Sequence, residues 1–119
     1  MICALLLALT ISVVNPFIGS GGHGHVFVGA DVPHGQVHAG PMNTTLGWDW
    51  CSGYHASDST FAGFAQTRLG GTGVADYGDI VIRPQLTSSF DPSEHFLKST
   101  EECTPGYYSV TISDGIKAR

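Results

Sequence analysis

The chain has 119 residues, five basic and ten acidic side chains, and a net charge of −5. That length holds one small domain, whose core is marginal without further support. An apolar fraction of 42% excludes a disordered chain. Sixteen glycines without a three-residue period exclude collagen, and the acidic balance excludes a binder of nucleic-acid backbone.

Charged residues make up 13% of the chain, about half the usual share, so part of the surface is expected to be covered by something else. Up to Thr67 the only charged side chains are Asp31, Asp49 and Asp58, and all five basic residues follow. Ile2 to Val14 is an uncharged, mainly apolar run. It is too short to cross a membrane, which takes roughly 20 residues, and has the length of a signal-peptide core. Residues 1–12 are therefore read as a signal peptide and 13–119 as the domain, in a secreted or periplasmic protein with no membrane span. No Lys or Arg precedes the run, and the alternative is a buried first strand. Once Cys3 leaves with the signal, Cys51 and Cys103 remain, either as a disulfide or as two separate thiols. Asn43-Thr44-Thr45 is a glycosylation sequon that matters only in a eukaryotic host.

The elements read as strands. Asn15 to Gly40 is loop-rich, with a short strand expected over Gln36 to Ala39. Thr60 to Thr67 and Ile80 to Arg83 are strand segments, the second stopped by Pro84. Tyr107 to Ser113 alternates, with Tyr108, Val110 and Ile112 on one face. Asp114-Gly115 then marks a hairpin turn, and Ile116 to Arg119 begins the return strand. No segment sustains a helical period. The expected fold class is all-β, an antiparallel β-sandwich, and the hairpin that ends at Arg119 reads as the cut edge of a larger sandwich domain.

Three motifs bear on chemistry. Gly19-Ser20-Gly21-Gly22-His23-Gly24 fits the dinucleotide pattern, but Gly, Pro and His stand where its helix should start. His23 and His25, one residue apart in this Gly-rich loop, suit hydrogen bonding to a substrate. With His34, His38 and His55 they raise a zinc or copper site as another reading, although no carboxylate or Cys sits at the usual spacing. Gly47-Trp48-Asp49-Trp50-Cys51-Ser52-Gly53-Tyr54-His55 is the densest segment. Faces of Trp48, Trp50 and Tyr54 can stack on the C–H face of a sugar while Asp49 and His55 bond its hydroxyls. The competing reading is a pair of core tryptophans. Glycoside hydrolysis needs two carboxyls across the scissile bond, and nothing in the sequence identifies such a pair.

Taken in order, these segments resemble one family. They are Val14-Asn15-Pro16-Phe17-Ile18-Gly19, Gly22-His23-Gly24-His25, and Gly47 to His55 with Ser57-Asp58-Ser59. Leu69-Gly70-Gly71-Thr72-Gly73, Asp76-Tyr77-Gly78-Asp79-Ile80 and Pro105-Gly106-Tyr107-Tyr108-Ser109-Val110 complete the set. The chain resembles the N-terminal β-sandwich of glycoside hydrolase family 92, the calcium-dependent exo-acting α-mannosidases. The resemblance implies a longer parent, with a C-terminal (α/α)6 barrel that supplies the general acid Glu and general base Asp of an inverting mechanism. No catalytic residue is then expected in this chain. It implies a mannose-containing glycan as substrate and Ca²⁺ as cofactor. Asn15, an oxygen ligand for calcium, and Phe17 would approach the mannose being cleaved, and Trp48 would stack on the neighbouring sugar. With Asp49, His23, His25 and Tyr54 these form the expected site. Where the family usually carries His-Thr-His, this chain has Gln66-Thr67-Arg68, and Ala56 replaces a frequent Tyr. The other class kept open is a free-standing carbohydrate-binding sandwich without catalysis.

Overall fold

The computed structural model describes residues 13–29, 38–66 and 80–119. The signal-peptide expectation over 1–12 lies outside them, as do Gln36, Val37 and Thr67. Among the described residues no helix is long and apolar enough to cross a membrane. The fold is all-β, and among the described residues it has two three-stranded antiparallel sheets and two short 3-10 helices, Trp48–Trp50 and Lys98–Thr100.

The first sheet orders β1 (Gly40–Met42), β2 (Gly63–Ala65) and β3 (Val81–Ile82) side by side. Gly40 faces Ala65 across the first pair, and Phe64 faces Ile82 across the second. Of the strand expected over Gln36 to Ala39, Gln36 and Val37 lie outside the described residues and Ala39 makes a bridge, and β1 follows it on the sequence Gly-Pro-Met. Propensity argues against that sequence, but tertiary contact overrides it. A Cβ on Gly40 would lie 2.3 Å from the Val28 carbonyl oxygen, so only glycine lets the two segments touch. β3 is shorter than the expected strand and exposes both side chains.

The second sheet orders β4 (Glu102–Thr104), β5 (Tyr107–Thr111) and β6 (Lys117–Ala118). β5 and the residue after it bury Val110 and Ile112 and half-bury Tyr108, as the sequence period requires, while Ser109 on the opposite face is buried as well. The Asp114-Gly115 turn forms, with Gly115 at φ 90°. β4 is the strand that periodicity missed, since Glu-Cys-Thr carries no apolar alternation. Its turn signal was nevertheless present. Pro105-Gly106 joins β4 to β5, and Gly106 takes the left-handed conformation, φ 81°, that the second central residue of a type II turn needs.

The segment 94–97 ties the two sheets together. Phe61 N–H donates to the Glu94 carbonyl at 3.3 Å and Phe96 N–H to the Ser59 carbonyl at 2.7 Å. Leu97 N–H donates to the Thr111 carbonyl at 2.9 Å. The core forms where these cross: Phe61, Phe96, Val110 and Ile112 are buried, and Phe64, Tyr108 and Ile116 pack around them. Arg83 spans the same junction. Its guanidinium pairs with Glu94 at 2.7 Å, donates to the Phe61 carbonyl at 2.7 Å and lies over the Phe61 ring. Cys51 is buried and Cys103 half-buried, and both are free thiols, so the disulfide alternative is not realised.

Candidate functional site

The Gly-rich segment is a succession of tight turns. Ile18 N–H bonds the Asn15 carbonyl, Ser20 N–H the Phe17 carbonyl, and Gly24 N–H the Gly21 carbonyl, at 3.1 to 3.2 Å. Val26 N–H closes the loop on the Gly19 carbonyl at 3.0 Å. A Cβ on Gly24 would sit 2.0 Å from that same oxygen, so the crossing depends on glycine. His25 has φ 55°, the one positive φ of a non-glycine residue among those described. Such strain persists only where surrounding contacts hold it.

Those contacts come from the Trp48–Trp50 turn. His23 Nδ1 lies 2.6 Å from Asp49 Oδ1, and His25 Nε2 lies 3.6 Å from the same oxygen. The His25 ring also packs edge-on against the Trp48 indole, centroids 4.9 Å apart. The carboxylate missing from the sequence spacing of the histidines is therefore supplied from 26 residues away. The His23 side chain is 84% exposed and that of Asp49 28%, whereas that of His25 is 10% exposed. Trp48 is 62% exposed and offers an indole to solvent. The hydrogen bond from His23 holds the Asp49 carboxyl below the usual carboxylate range.

The same two segments are fastened elsewhere. Ala56 N–H donates to the Ser20 carbonyl at 2.8 Å, and His55 Nε2 lies 3.0 Å from the Gly22 carbonyl. Because His55 Nδ1 accepts from Ser57 N–H, the proton belongs on Nε2. Trp50 turns inward. Its indole N–H donates to Asp58 Oδ2 at 2.8 Å and its ring lies against His55, centroids 4.9 Å apart. Burial alone would raise the Asp58 carboxyl, but hydrogen bonds from Thr45, Thr60 and Trp50 outweigh it and hold it low.

A family model described as the glycosyl hydrolase family 92 N-terminal domain matches residues 13–119. The chain belongs to glycosyl hydrolase family 92. A solved family GH92 α-mannosidase from Bacteroides thetaiotaomicron superposes with a TM-score of 0.76 at 33% identity, covering 91% of this chain and 16% of that one. The same protein solved with mannoimidazole gives the same figures. A protein of Arthroderma benhamiae named as an uncharacterised secreted glycosidase is 26% identical over 116 residues, 88% of this chain and 15% of its own length. The chain thus spans about one sixth of the relatives it matches.

Within this family 92 domain, the structure gathers Trp48, Asp49, His23 and His25. Asn15 and Phe17 lie in the same turn-rich loop, where Asn15 Oδ1 accepts from Phe17 N–H at 3.0 Å. Tyr54 is a correction. It is 1% exposed, and its hydroxyl donates to Glu101 at 3.0 Å and accepts from Lys98 Nζ at 2.8 Å, so it has no face to offer a sugar. Tyr108 donates to the same Glu101 at 2.6 Å. Burial and the Glu101 carboxylate push both phenols far above the ordinary tyrosine range, and burial pushes the Cys103 thiol and the Lys98 ammonium toward their neutral forms. Among the described residues, which do not include His34, no group of three His, Cys, Asp or Glu is placed to hold a metal ion. Sequence reasoning also missed Asn43. It is wholly buried, holds the two ends of the tryptophan loop, and was visible only as a sequon.

The Asp49 shift has a definite sign. A carboxyl whose folded pKa is depressed stabilises its contacts above its unfolded pKa, about 3.9, and that contribution is lost as pH falls through the folded value. Acidification below about pH 4 is expected to free His23 from Asp49 while both sheets persist. An NMR titration reads this as an acid-side step in the His23 ring protons. A flat response of those protons below pH 4 would contradict the pairing.

Proposed function

We propose that this chain is the N-terminal β-sandwich of a secreted, calcium-dependent, inverting exo-α-mannosidase, an α-1,2-mannosidase acting on mannose-containing glycans. Its part is to lend sugar- and calcium-contacting loops to a site completed by a following (α/α)6 catalytic domain. The observation that carries this reading is the exposed Trp48 indole in the same turn as the Asp49–His23 pair. An aromatic face with adjacent polar groups suits a sugar ring, which is apolar on its C–H face and polar at its rim. The family membership, and a solved relative that is an α-mannosidase, support the same substrate class.

The described carboxylates explain why the chemistry is assigned elsewhere. Inversion needs an acid and a base roughly 6.5–9.5 Å apart, free to face a water and the glycosidic oxygen. Asp49 is engaged by His23, Asp58 by Trp50, Glu94 by Arg83, and Glu101 by two tyrosines and a lysine. Asp91, Glu102 and Asp114 are bonded as well, to Ser93, Ser109 and Ile116, so each described carboxylate has a partner within the chain.

Calcium takes six to eight oxygen ligands at about 2.3–2.6 Å. Asn15 fits one such position. Its exposed Oδ1 spends one lone pair on Phe17 N–H and keeps the other. The remaining ligands come from outside the described residues or from the sugar itself. Bound there, calcium would polarise sugar hydroxyls and help hold a distorted ring. Asn15 orients that oxygen through its turn, and Trp48 fixes the plane of the neighbouring ring.

The test uses the complete polypeptide that carries this domain, with α-1,2-mannobiose followed by proton NMR. Release of β-mannose first, lost with EDTA and restored by Ca²⁺, is expected. Initial α-mannose would exclude inversion, and activity indifferent to EDTA would exclude the calcium requirement. The 119-residue chain alone is expected to release no mannose.

A further inference from the structure

His23, Asp49 and His25 meet at one carboxylate oxygen, yet the two imidazoles are in opposite circumstances. The His25 ring is nine-tenths buried, and its Nε2 is sealed from solvent without a hydrogen-bond partner, 3.6 Å from Asp49 Oδ1. No ligand reaches that atom, so His25 supports the indole of Trp48 from the side. The His23 ring is almost wholly open. Only its Nδ1 is engaged, at 2.6 Å from Asp49 Oδ1.

An ionised carboxylate accepts hydrogen bonds and has no proton to give. The contact therefore requires the proton on His23 Nδ1. In the neutral ring, Nε2 is then a bare lone pair, and no described residue bonds it. A histidine in solution prefers the other tautomer, so Asp49 selects the arrangement by position. The same device orients metal-bound and catalytic imidazoles, where a carboxylate behind the ring raises the basicity of the far nitrogen.

We propose that His23 Nε2 is a hydrogen-bond acceptor for a sugar hydroxyl at the Trp48 platform, and that Asp49 is the positioning residue that fixes its tautomer. The proposal rests on the sugar-binding reading above and refines it. Asp49 acts through His23 and does not itself contact the sugar, and His25 stays a buried support. The ligand class is a neutral hydroxylated ring that offers a hydroxyl donor beside its apolar face.

The test is long-range nitrogen–proton NMR near pH 8 on the complete polypeptide that carries this domain, labelled at histidine, with a non-hydrolysable thio-linked α-1,2-mannobiose as probe. In the free chain His23 is expected to show a protonated Nδ1 and a bare Nε2. Adding the disaccharide is expected to shift Nε2 upfield together with the Trp48 indole N–H. Asp49→Ala is expected to move the proton to Nε2 and weaken binding about five- to tenfold, the effect of one hydrogen bond. Methyl signals of Val110 and Ile112 report whether that variant keeps its core. His23→Phe, an exposed change that keeps a flat ring and removes both nitrogens, is expected to weaken binding by the same factor. A free chain protonated at Nε2, or a His23→Phe variant that binds like the parent, would overturn the proposal. If the Trp48 signal moves while Nε2 does not, the His23 role falls and the platform stands. If neither signal moves at 100-fold more sugar than protein, on the order of millimolar ligand, the sugar-binding reading falls with it.

Discussion

Replacing Asn43 with alanine is expected to destabilise the chain by about 3 kcal/mol and to detach the tryptophan loop from the sheet. Asn43 is fully buried and uses its whole amide. Nδ2 donates to the Thr60 carbonyl at 2.7 Å and the Asp58 carbonyl at 3.2 Å, and Oδ1 accepts from His55 N–H at 2.7 Å. The alanine variant strands two carbonyls and one N–H. Each buried unpaired group costs about 1–3 kcal/mol, and water entering the gap recovers part of that. The loss is large beside a total stability of about 5–15 kcal/mol for a domain. Urea unfolding checks it, and a difference below about 1 kcal/mol would show that the network is dispensable. A glycan on Nδ2 would break the same bonds by replacing a donor and demanding space. Folded chain secreted from a eukaryotic host is therefore expected to have no glycan at Asn43, which intact mass measures directly.

How much of this was legible follows the distance over which each interaction acts. β5 and the Asp114-Gly115 turn declare themselves because alternation and turn chemistry are local. β4 does not, because Glu102 to Thr104 has no apolar face, although Pro105-Gly106 marked its end. β1 hides behind Gly40-Pro41, which reads as a breaker and is a strand only because Val28 needs the space. At the site, Trp48, Asp49 and His23 were recognisable by residue type. Their convergence was not, since His23 and Asp49 are 26 residues apart. Tyr54 looked like a third aromatic wall because the sequence cannot show Glu101, 47 residues on, accepting its hydroxyl. Asn43 shows the limit most plainly. The same three letters encode a sequon and the central fastening of a loop, and only burial separates the two.

Phe61→Ala is expected to cost about 3–5 kcal/mol, the range for removing a buried phenylalanine that its surroundings cannot refill. The Phe61 ring is fully buried, 5.0 Å from Phe96 and 5.8 Å from Phe64 by centroid, with the Arg83 guanidinium 5.2 Å above it. Few core residues share the load, so relaxation into the gap is limited. Ile82→Ala is the control. Ile82 is 57% exposed on β3, and its loss is expected to stay within about 0.5 kcal/mol. Equal effects of the two changes would mean that Phe61 is not the junction of the two sheets. The consequence also reaches the site. Phe61 follows Thr60, whose N–H bonds Asp58 Oδ1 while the other Asp58 oxygen holds the Trp50 indole. Phe61 N–H in turn bonds the Glu94 carbonyl, and Glu94 holds Arg83. The turn that presents Trp48 is thus anchored through Asp58 to the core at Phe61. A core cavity there should loosen an indole that Phe61 never touches. The Trp48 indole N–H resonance is expected to shift in Phe61→Ala under conditions where the sheets remain folded, and to stay unchanged in Ile82→Ala.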